Sequence, residues 1–269
     1  MNAVRMFVLF ALSLQAADWL NEGGDAHRRN FQPLERELTP ASVPNLKLTW
    51  KLKLGHKANL SSPVILGRLI TYRGTVELVF VSSSDGHVYA VDADFGKVFW
   101  TRALESEAPR CTVPATPALT PNPPDVDPDS DDPQPPRPLY VLGADAMLHA
   151  LDPIDGKDHA APRQASCAPS LVVRNAKPVP AKAAPAVAHW KDAHGLSHTF
   201  PNAVVAGGVA FVLSKTTGEL QAFDALTKRR LYKSGPTSSA ASALAVANGH
   251  VCFTASDATL YCFGFPVER

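Results

Sequence analysis

Carboxylates at alternating positions are the first residues in this sequence whose types and spacing could do chemistry. Asp125, Asp127, Asp129 and Asp131 alternate along one segment, which is how calcium loops collect oxygen ligands. The segment lacks the central Gly and the closing Glu of such a loop, and the prolines between 123 and 136 keep it extended. We therefore interpret it as a solvated acidic loop and predict no metal site there.

Histidines between residues 189 and 198 form a second candidate group of metal ligands. His194 and His198 have the i, i+4 spacing that places two side chains on one face of a helix. Gly195 and the absence of a helical pattern argue against a helix, and His189 and Asp192 complete no zinc-binding pattern. We interpret the segment as a surface loop rich in histidine.

Three further aspartates, Asp92, Asp152 and Asp224, occupy the same place in a repeated sequence. A residue that serves one active site would not recur in every repeat, so these carboxylates are interpreted as structural. The copies of the repeat cover residues 85–97, 145–157, 217–228 and 257–264. Apolar segments rich in β-forming residues precede them at 78–81, 139–142, 209–213 and 250–253. Strand, turn, strand and second turn together predict a repeated β-meander.

Turn chemistry explains why these residue types recur. Asp-Gly at the first turn supplies the left-handed backbone of a short hairpin loop. The Asp that ends the following strand can accept N–H bonds from the second turn, which a Gly completes. An aromatic residue eight positions after that Asp marks a fourth strand, and Ala160 in this slot predicts a poor outer edge for the second copy. The residues assigned to these structural roles are Asp85, Gly86, Ala90, Asp92, Gly96, Trp100, Asp145, Ala150, Asp152, Gly156, Gly218, Ala222, Asp224, Asp257 and Trp50.

Residues 85–100 carry the full pattern Asp-Gly-x-x-Tyr-Ala-x-Asp-Ala-x-x-Gly-Lys-x-x-Trp. This pattern resembles the repeat of quinoprotein, or PQQ-like, β-propellers, and residues 18–25 and 46–50 are similar to the opening of quinoprotein alcohol dehydrogenase-like chains. The resemblance implies an all-β fold, a β-propeller of four-stranded antiparallel blades. Trp50 and Trp100 are then expected to pack one blade against the next.

An enzyme of this family is expected to carry adjacent cysteines over the quinone, a calcium shell of Glu, Asn and Asp, and a catalytic Asp. The sequence has no Cys-Cys pair and no Cys-x-x-Cys-His haem motif. We therefore predict no catalytic, cofactor-binding or metal-binding residues and no cofactor. Bound pyrroloquinoline quinone with calcium is the alternative.

The spacing of the repeats indicates four or five blades. First-turn positions 85, 145, 217 and 257 are separated by 60, 72 and 40 residues, whereas a blade needs about 40 to 45. The first gap holds an insertion loop at 121–138. The second holds a degenerate segment at 166–198, with candidate strands at 170–173 and 186–189, which is either a long loop or an eroded blade.

The two ends of the chain suggest how the last blade is completed. Residues 46–54 resemble an outer fourth strand without its three partners, and residues 243–265 supply three strands without a fourth. Pairing between them would join the N-terminal and C-terminal strands in one blade. Such pairing would protect the weakest edge of a propeller.

Four cysteines are candidates for disulfides, with Cys111 paired to Cys167 and Cys252 paired to Cys262. Cys252 and Cys262 flank the turn near Asp257, so they should lie opposite each other on adjacent strands. Cys111 and Cys167 lie at the loop-rich margins of the second copy. Buried free thiols are the alternative, because Cys262 occupies the slot that Ala fills elsewhere.

Composition and the first residues point to an exported globular protein. The chain is 45% hydrophobic with a net charge of +1, so nothing favours binding to nucleic acid. Residues 1–17 have the basic, apolar and small-residue order of a signal peptide, and the apolar run is too short for a membrane span. Residues 18–269 are then one propeller domain in the periplasm or outside the cell.

The sequence therefore favours a non-catalytic binding or scaffolding module. Its partner would be an unknown protein or small molecule on a loop face. The alternative is a quinone-binding component of a dehydrogenase-like oxidoreductase, in short or truncated form. The missing cysteine pair and the small number of blades favour the first interpretation.

Overall fold

The structure is a computed structural model of the chain, and it describes residues 17–55, 59–71, 74–104, 110–121, 137–175, 177–192 and 194–266. Most of the export segment 1–17 and of the insertion loop 121–138 lies outside the described residues, including every aspartate of the acidic loop.

Nearly all regular structure in the described residues is β-strand, with one 3₁₀ turn at Val43–Asn45. None of the described segments forms a helix long and apolar enough to cross a membrane. In chain order the strands are β1 (Phe31–Gln32), β2 (Lys47–Lys53), β3 (Val64–Thr71), β4 (Gly74–Ser82), β5 (His87–Asp92), β6 (Val98–Ala103), β7 (Ala118–Leu119), β8 (Leu139–Leu142), β9 (Met147–Leu151), β10 (Asp158–Gln164), β11 (Ser170–Arg174), β12 (Lys177–Ala181), β13 (Val187–Lys191), β14 (Ser197–Pro201), β15 (Ala203–Ala206), β16 (Val209–Leu213), β17 (Leu220–Asp224), β18 (Arg230–Lys233), β19 (Ala245–Ala247), β20 (His250–Thr254) and β21 (Thr259–Gly264).

Four sheets contain most of these strands. Sheet 1 is β3 to β6 and sheet 2 is β7 to β10, each with antiparallel neighbours in chain order. Sheet 3 is β15 to β18, to which β1 adds a fifth strand parallel to β15. Sheet 4 is β19 to β21 with β2 as its fourth strand. The prediction of an all-β fold built from four-stranded antiparallel sheets is confirmed.

Sheet 4 is assembled from distant parts of the chain. Its outer strand β2 pairs antiparallel with β21, from Lys47 opposite Gly264 to Lys53 opposite Thr259. The strand expected at 46–54 therefore finds its partners in the C-terminal part of the chain. Pairing with β2 covers the edge of β21, which would otherwise present unpaired backbone groups.

The degenerate segment 166–198 forms two separate hairpins instead of a four-stranded sheet. β11 pairs with β12, and β13 pairs with β14. Pro178 and Pro180 lie in β12 and have no N–H to donate, which confines this strand to a sheet edge. Within the described residues, the hairpins therefore add no fifth complete sheet.

The first strands of the sheets lie next to one another. β7 contacts β3, β3 contacts β19, and β19 contacts β15, so the sheets follow in the order 2, 1, 4, 3. The hairpin strand β11 extends this row beside β7, and β13 lies beside β15. The first strands β7, β15 and β19 are buried along their whole length, and on the second strands Phe80, Phe211 and Phe253 have no exposed side-chain surface.

Candidate functional site

The repeated aspartates are held in turns. The Asp92 carboxylate accepts the N–H groups of Asp94 and Phe95, both at 3.0 Å. Asp152 accepts Ile154 N–H at 2.7 Å, and Asp224 accepts Leu226 and Thr227 N–H at 3.1 and 2.7 Å. The first-turn carboxylates of Asp85, Asp145 and Asp257 likewise accept the N–H two residues later. Each carboxylate completes its own turn, where Gly86 and Gly218 also adopt positive φ.

Trp50 and Trp100 connect neighbouring sheets. The Trp50 indole N–H, on the outer strand of sheet 4, donates to Ala93 O of sheet 1 at 2.6 Å. Trp100 of sheet 1 donates in the same way to Pro153 O of sheet 2 at 2.8 Å. Gly96 and Gly156 lie directly under these rings, where a Cβ would come within 2.5 and 2.8 Å of indole carbons. Both glycines therefore serve the contact between sheets as well as the turn.

One row of residues crosses every sheet in the same register. In sheet 1 it runs from Phe80 to Ala90 to Trp100. The corresponding rows are Tyr140, Ala150 and Ala160 in sheet 2, Phe211, Ala222 and Tyr232 in sheet 3, and Cys252, Cys262 and Trp50 in sheet 4. Strand β10, where Ala160 replaces the aromatic residue, is exposed along its whole length. The poor outer edge follows from this replacement, because Ala covers little of the strand beside it.

All four cysteines are in disulfides. Cys252 is bonded to Cys262 across adjacent strands, in the positions that an aromatic residue and Ala fill in the other sheets. Cys111 is bonded to Cys167, so that the segments before and after sheet 2 are joined. One bond therefore links two strands inside sheet 4, and the other links the segments that flank sheet 2.

The histidine segment does not converge on one point. His198 Nε2 lies 2.8 Å from the Asp192 carboxylate, while the backbone N–H of His194 donates to the same residue. His189 lies on β13, and its backbone N–H donates to Arg29 O. Among the described residues no group of three or more His, Cys, Asp or Glu side chains is arranged to hold a metal.

The N-terminal segment, residues 17–32, runs along the first strands of three sheets. Trp19 exchanges backbone hydrogen bonds of 2.8 and 3.0 Å with Ile65 of sheet 1. Leu20 O accepts the N–H of Leu119 in sheet 2, and β1 pairs with β15 of sheet 3. The Trp19 side chain is fully buried. The place where the first strands meet is therefore occupied by the chain itself.

Two carboxylates of this segment are partly buried and have partners. Asp18 pairs with Arg137 at 2.6 Å and accepts Gly67 N–H at 3.0 Å. Glu22 accepts Ala184 N–H at 2.9 Å and the Ser62 hydroxyl at 3.4 Å. Burial raises the pKa of both carboxyls above its usual value, although Arg137 opposes the shift at Asp18. These contacts fasten the segment to sheets 1 and 2 and to the hairpin region.

A groove of about 300 Å³ lies where sheet 4 meets sheet 1. Leu48 and Phe95 on its walls are 41% and 48% exposed, so apolar surface is open to solvent on both sides of the groove. The Thr49 hydroxyl donates a hydrogen bond of 2.9 Å to Cys262 O. Apolar walls with one cation and one anion suit binding better than covalent chemistry. The groove is lined by Lys47, Leu48, Thr49, Trp50, Asp94, Phe95 and Pro266.

Behind the Asp94 side of the groove lies a buried histidine. His250, 7% exposed, places Nε2 3.3 Å from Asp94 Oδ1 and 3.6 Å from Glu77 Oε2. Glu35 Oε2 accepts the N–H of Gly249 at 3.3 Å, and the Glu37 carboxylate lies against Gly249. Carboxylates from three parts of the chain thus lie around the His250 imidazole and the adjoining Gly249 backbone.

The proton affinities in this cluster depend on burial and on the neighbouring charges. Burial by itself would lower the pKa of His250, but the hydrogen bond to Asp94 and the charges of Glu77, Asp94 and Glu37 raise it above the usual value. Burial raises the pKa of Glu77 to about 7, with further increases from Asp94, Glu37 and Glu35. The hydrogen bond to His250 lowers the pKa of Asp94. No repeated motif contains this set, and no local signal in the sequence marks it, because its members are far apart along the chain.

Sequence comparison assigns the chain to a family. The family model described as outer membrane protein assembly factor BamB, a model of PQQ-like repeats, matches residues 47–181. Because the match covers half of the sequence, the chain belongs to the PQQ-like β-propeller repeat family, and its four sheets are blades of that fold. Among curated proteins, none matches the sequence.

Several solved structures are similar in fold. Quinohemoprotein alcohol dehydrogenase from Comamonas testosteroni is 18% identical with a TM-score of 0.42, and the match covers 81% of this chain and 27% of that one. The quinohemoprotein alcohol dehydrogenase ADHIIG from Pseudomonas putida HK5 is 17% identical with a TM-score of 0.43, and the match covers 83% of this chain and 27% of that one. BamB from Moraxella catarrhalis is 12% identical with a TM-score of 0.31, and the match covers 83% of this chain and 99% of that one. The chain thus spans about a quarter of the length of the dehydrogenases.

Proposed function

We propose that this chain is an exported PQQ-like β-propeller repeat protein that works as a non-catalytic binding or scaffolding module. The observation that carries the proposal is the packing of residues 17–32 along the first strands of sheets 1, 2 and 3. A planar cofactor at the meeting point of these strands would have to displace Trp19 and its backbone hydrogen bonds. The repeated carboxylates are engaged in turns and offer no convergent base among the described residues.

Two further features support export and binding. Disulfides persist in oxidising compartments, and both cysteine pairs of this chain are bonded in the structure. The family model is named for an outer membrane protein assembly factor, and a binding or scaffolding module is consistent with that name. We place the partner, a protein or a small molecule, on a loop face at one end of the sheets. The groove between sheets 4 and 1 is the first surface to test.

Purification of the tagged chain from an oxidising compartment of its native host tests this function. We expect a stoichiometric partner to co-purify, together with a visible absorbance spectrum free of quinone. Phe95→Ser alters the groove at one end of the sheets, and Val113→Ser is its control because Val113 is 62% exposed in a connection between sheets 1 and 2. Loss of the partner only in Phe95→Ser would locate binding at the groove. Stoichiometric bound quinone would support the alternative, a quinone-binding oxidoreductase component.

A further inference from the structure

The cluster around His250 joins residues that belong to sheets 1 and 4 with residues that belong to no sheet. Glu77 belongs to β4, Asp94 to the turn between β5 and β6, and His250 to β20, so all three are fixed by sheets 1 and 4. Glu35 and Glu37 belong to residues 33–46, which pair with no strand of the described chain and which we call the strap. The cluster is therefore a contact between a segment outside the sheets and the border of sheets 1 and 4.

The strap is bonded directly to the turn that carries His250. Glu35 accepts the Gly249 N–H through one oxygen and the N–H groups of Glu37 and Leu38 through the other, at 2.7 and 3.1 Å. Gly249 has a φ of +76°, and a Cβ there would come within 2.4 Å of Glu37 Oε2. The strap thus contacts the backbone next to His250 through its two carboxylates.

The charges around His250 are unequal. From sheet 1 it faces Glu77 and Asp94, and from the strap the charge of Glu37 acts on it, while Glu35 binds the N–H of the adjoining Gly249. On the side of sheet 4 it lies against Gly264, next to the methyl group of Thr49, and Lys47, which pairs with Gly264, has an exposed side chain. Two carboxylates, Glu77 and Asp94, thus lie within 4 Å of the buried His250 ring, and Glu37 adds a third negative charge on the side of the strap. The His250 Nδ1 atom has no hydrogen-bond partner among the described residues, so neutral His250 gains no compensating bond from them.

We propose that His250, Glu77, Asp94, Glu35 and Glu37 form a proton-controlled clasp, which holds the strap against sheets 1 and 4 while His250 is charged and loosens when it becomes neutral. Loss of the proton leaves carboxylates facing one another in a partly buried space, where like charges repel strongly. Glu77, Asp94 and His250 are fixed by strands, so the strap is the part that moves. Leu38 and Val43, the fully buried side chains of the strap itself, stay in the core, so the opening is local and confined to the residues around Glu35 and Glu37.

Amide hydrogen exchange of the intact, oxidised chain between pH 5.5 and 8.5 tests the clasp. Observed rates are divided by the intrinsic rate at each pH, which gives a protection factor. We expect protection of residues 35–42 to fall at least tenfold over this range, because the closed strap binds the His250 proton more tightly than the open one. Protection of β16, in the core of sheet 3, should stay constant. A constant factor for the strap would overturn the proposal.

Variants separate the clasp from general loosening of the fold. His250→Gln should abolish the pH dependence of strap protection, while the exposed control His159→Gln on β10 should retain it. If His250→Gln does not fold, Glu37→Gln decides, because Glu37 is exposed and its substitution removes one repelling charge. Glu37→Gln should reduce the fall in protection at least threefold. An unchanged fall in Glu37→Gln, or in a folded His250→Gln, contradicts the clasp. Neither quinone binding nor partner binding enters this measurement, so its outcome is separate from that of the proposed function.

Discussion

Single residues fasten one sheet to the next through the pairing of a Trp with a Gly. Gly96 has a φ of +63° and lies under Trp50. It must adopt a left-handed backbone and also leave room for the indole ring, and only glycine does both. Gly156 under Trp100 repeats the arrangement between sheets 1 and 2. The next contact, where Ala160 replaces the aromatic residue, lacks this fastening.

Gly96→Ala should lower the free energy of unfolding by about 2 to 4 kcal/mol, since left-handed strain and overpacking against Trp50 add together. Gly195→Ala is the matched control, because Gly195 has a φ of +78° but a Cβ there would meet no described atom within 4 Å. It should cost only about 1 kcal/mol, from backbone strain alone. Urea unfolding of both variants gives the comparison. Equal losses would show that the Trp50 contact contributes nothing.

Glu77→Gln should make stability less dependent on pH. The pKa of Glu77 is raised to about 7 in the folded chain, so the folded state binds the proton more tightly and stability falls as pH rises from about 4.5 through 7. A permanently neutral Gln should stabilise the chain relative to the parent at pH 8 by on the order of 3 kcal/mol, and have little effect at pH 4.5. Melting temperatures across this range test the sign. Destabilisation at pH 8 would mean that the charged carboxylate is needed by His250.

At the scale of elements, strand β2 completes sheet 4. Removing residues before Gly55 should expose the edge of β21 and cause aggregation or loss of a cooperative thermal transition. A chain that begins at Asp18 is the control and should melt cooperatively. The shorter chain also loses the N-terminal segment and the strap. The measurement therefore tests the loss of their contacts together with the loss of strand β2. A truncated protein that melts as sharply and as high as the control would contradict the pairing.

The disulfide between Cys111 and Cys167 joins the segments on either side of sheet 2. Thiol counting on denatured, unreduced protein from an oxidising compartment should find no free thiol. The double substitution Cys111→Ser and Cys167→Ser should lower stability by about 4 kcal/mol, because the bond closes a loop with a sequence separation of 56 residues. This loss of stability lies between the losses expected for disulfides that close shorter loops and longer loops. Four free thiols would contradict both disulfides.

The elements could be predicted where the information is local. Apolar runs followed by Asp-Gly or Asp-Ala turns indicated the second and third strands, since turn chemistry and alternation act within a few residues. The parallel strand β1 and the path of residues 17–32 could not be predicted, because they depend on contacts with sheets far along the chain. The cluster around His250 was missed for the same reason, as its members lie between residues 35 and 250.

At the scale of the molecule, the chain places its own N-terminal segment where the first strands of its sheets meet. Trp19 is buried there, and Asp18 and Glu22 are partly buried, with partners in the sheets or in the hairpin region. The repeats retain the residues that build turns and sheet contacts, while the described residues hold no group arranged to bind a metal.

Titration of the full-length oxidised chain with pyrroloquinoline quinone and calcium decides whether the N-terminal segment excludes a cofactor from this centre. Quinone near Trp19 or Trp50 would quench indole fluorescence, and dye reduction with short alcohols and aldoses reports turnover in the same samples. We expect no saturable change at micromolar quinone and no substrate-dependent dye reduction. Saturable micromolar binding with turnover would instead establish a quinone-dependent enzyme. Binding without turnover would contradict the filled centre and indicate a quinone-carrying module.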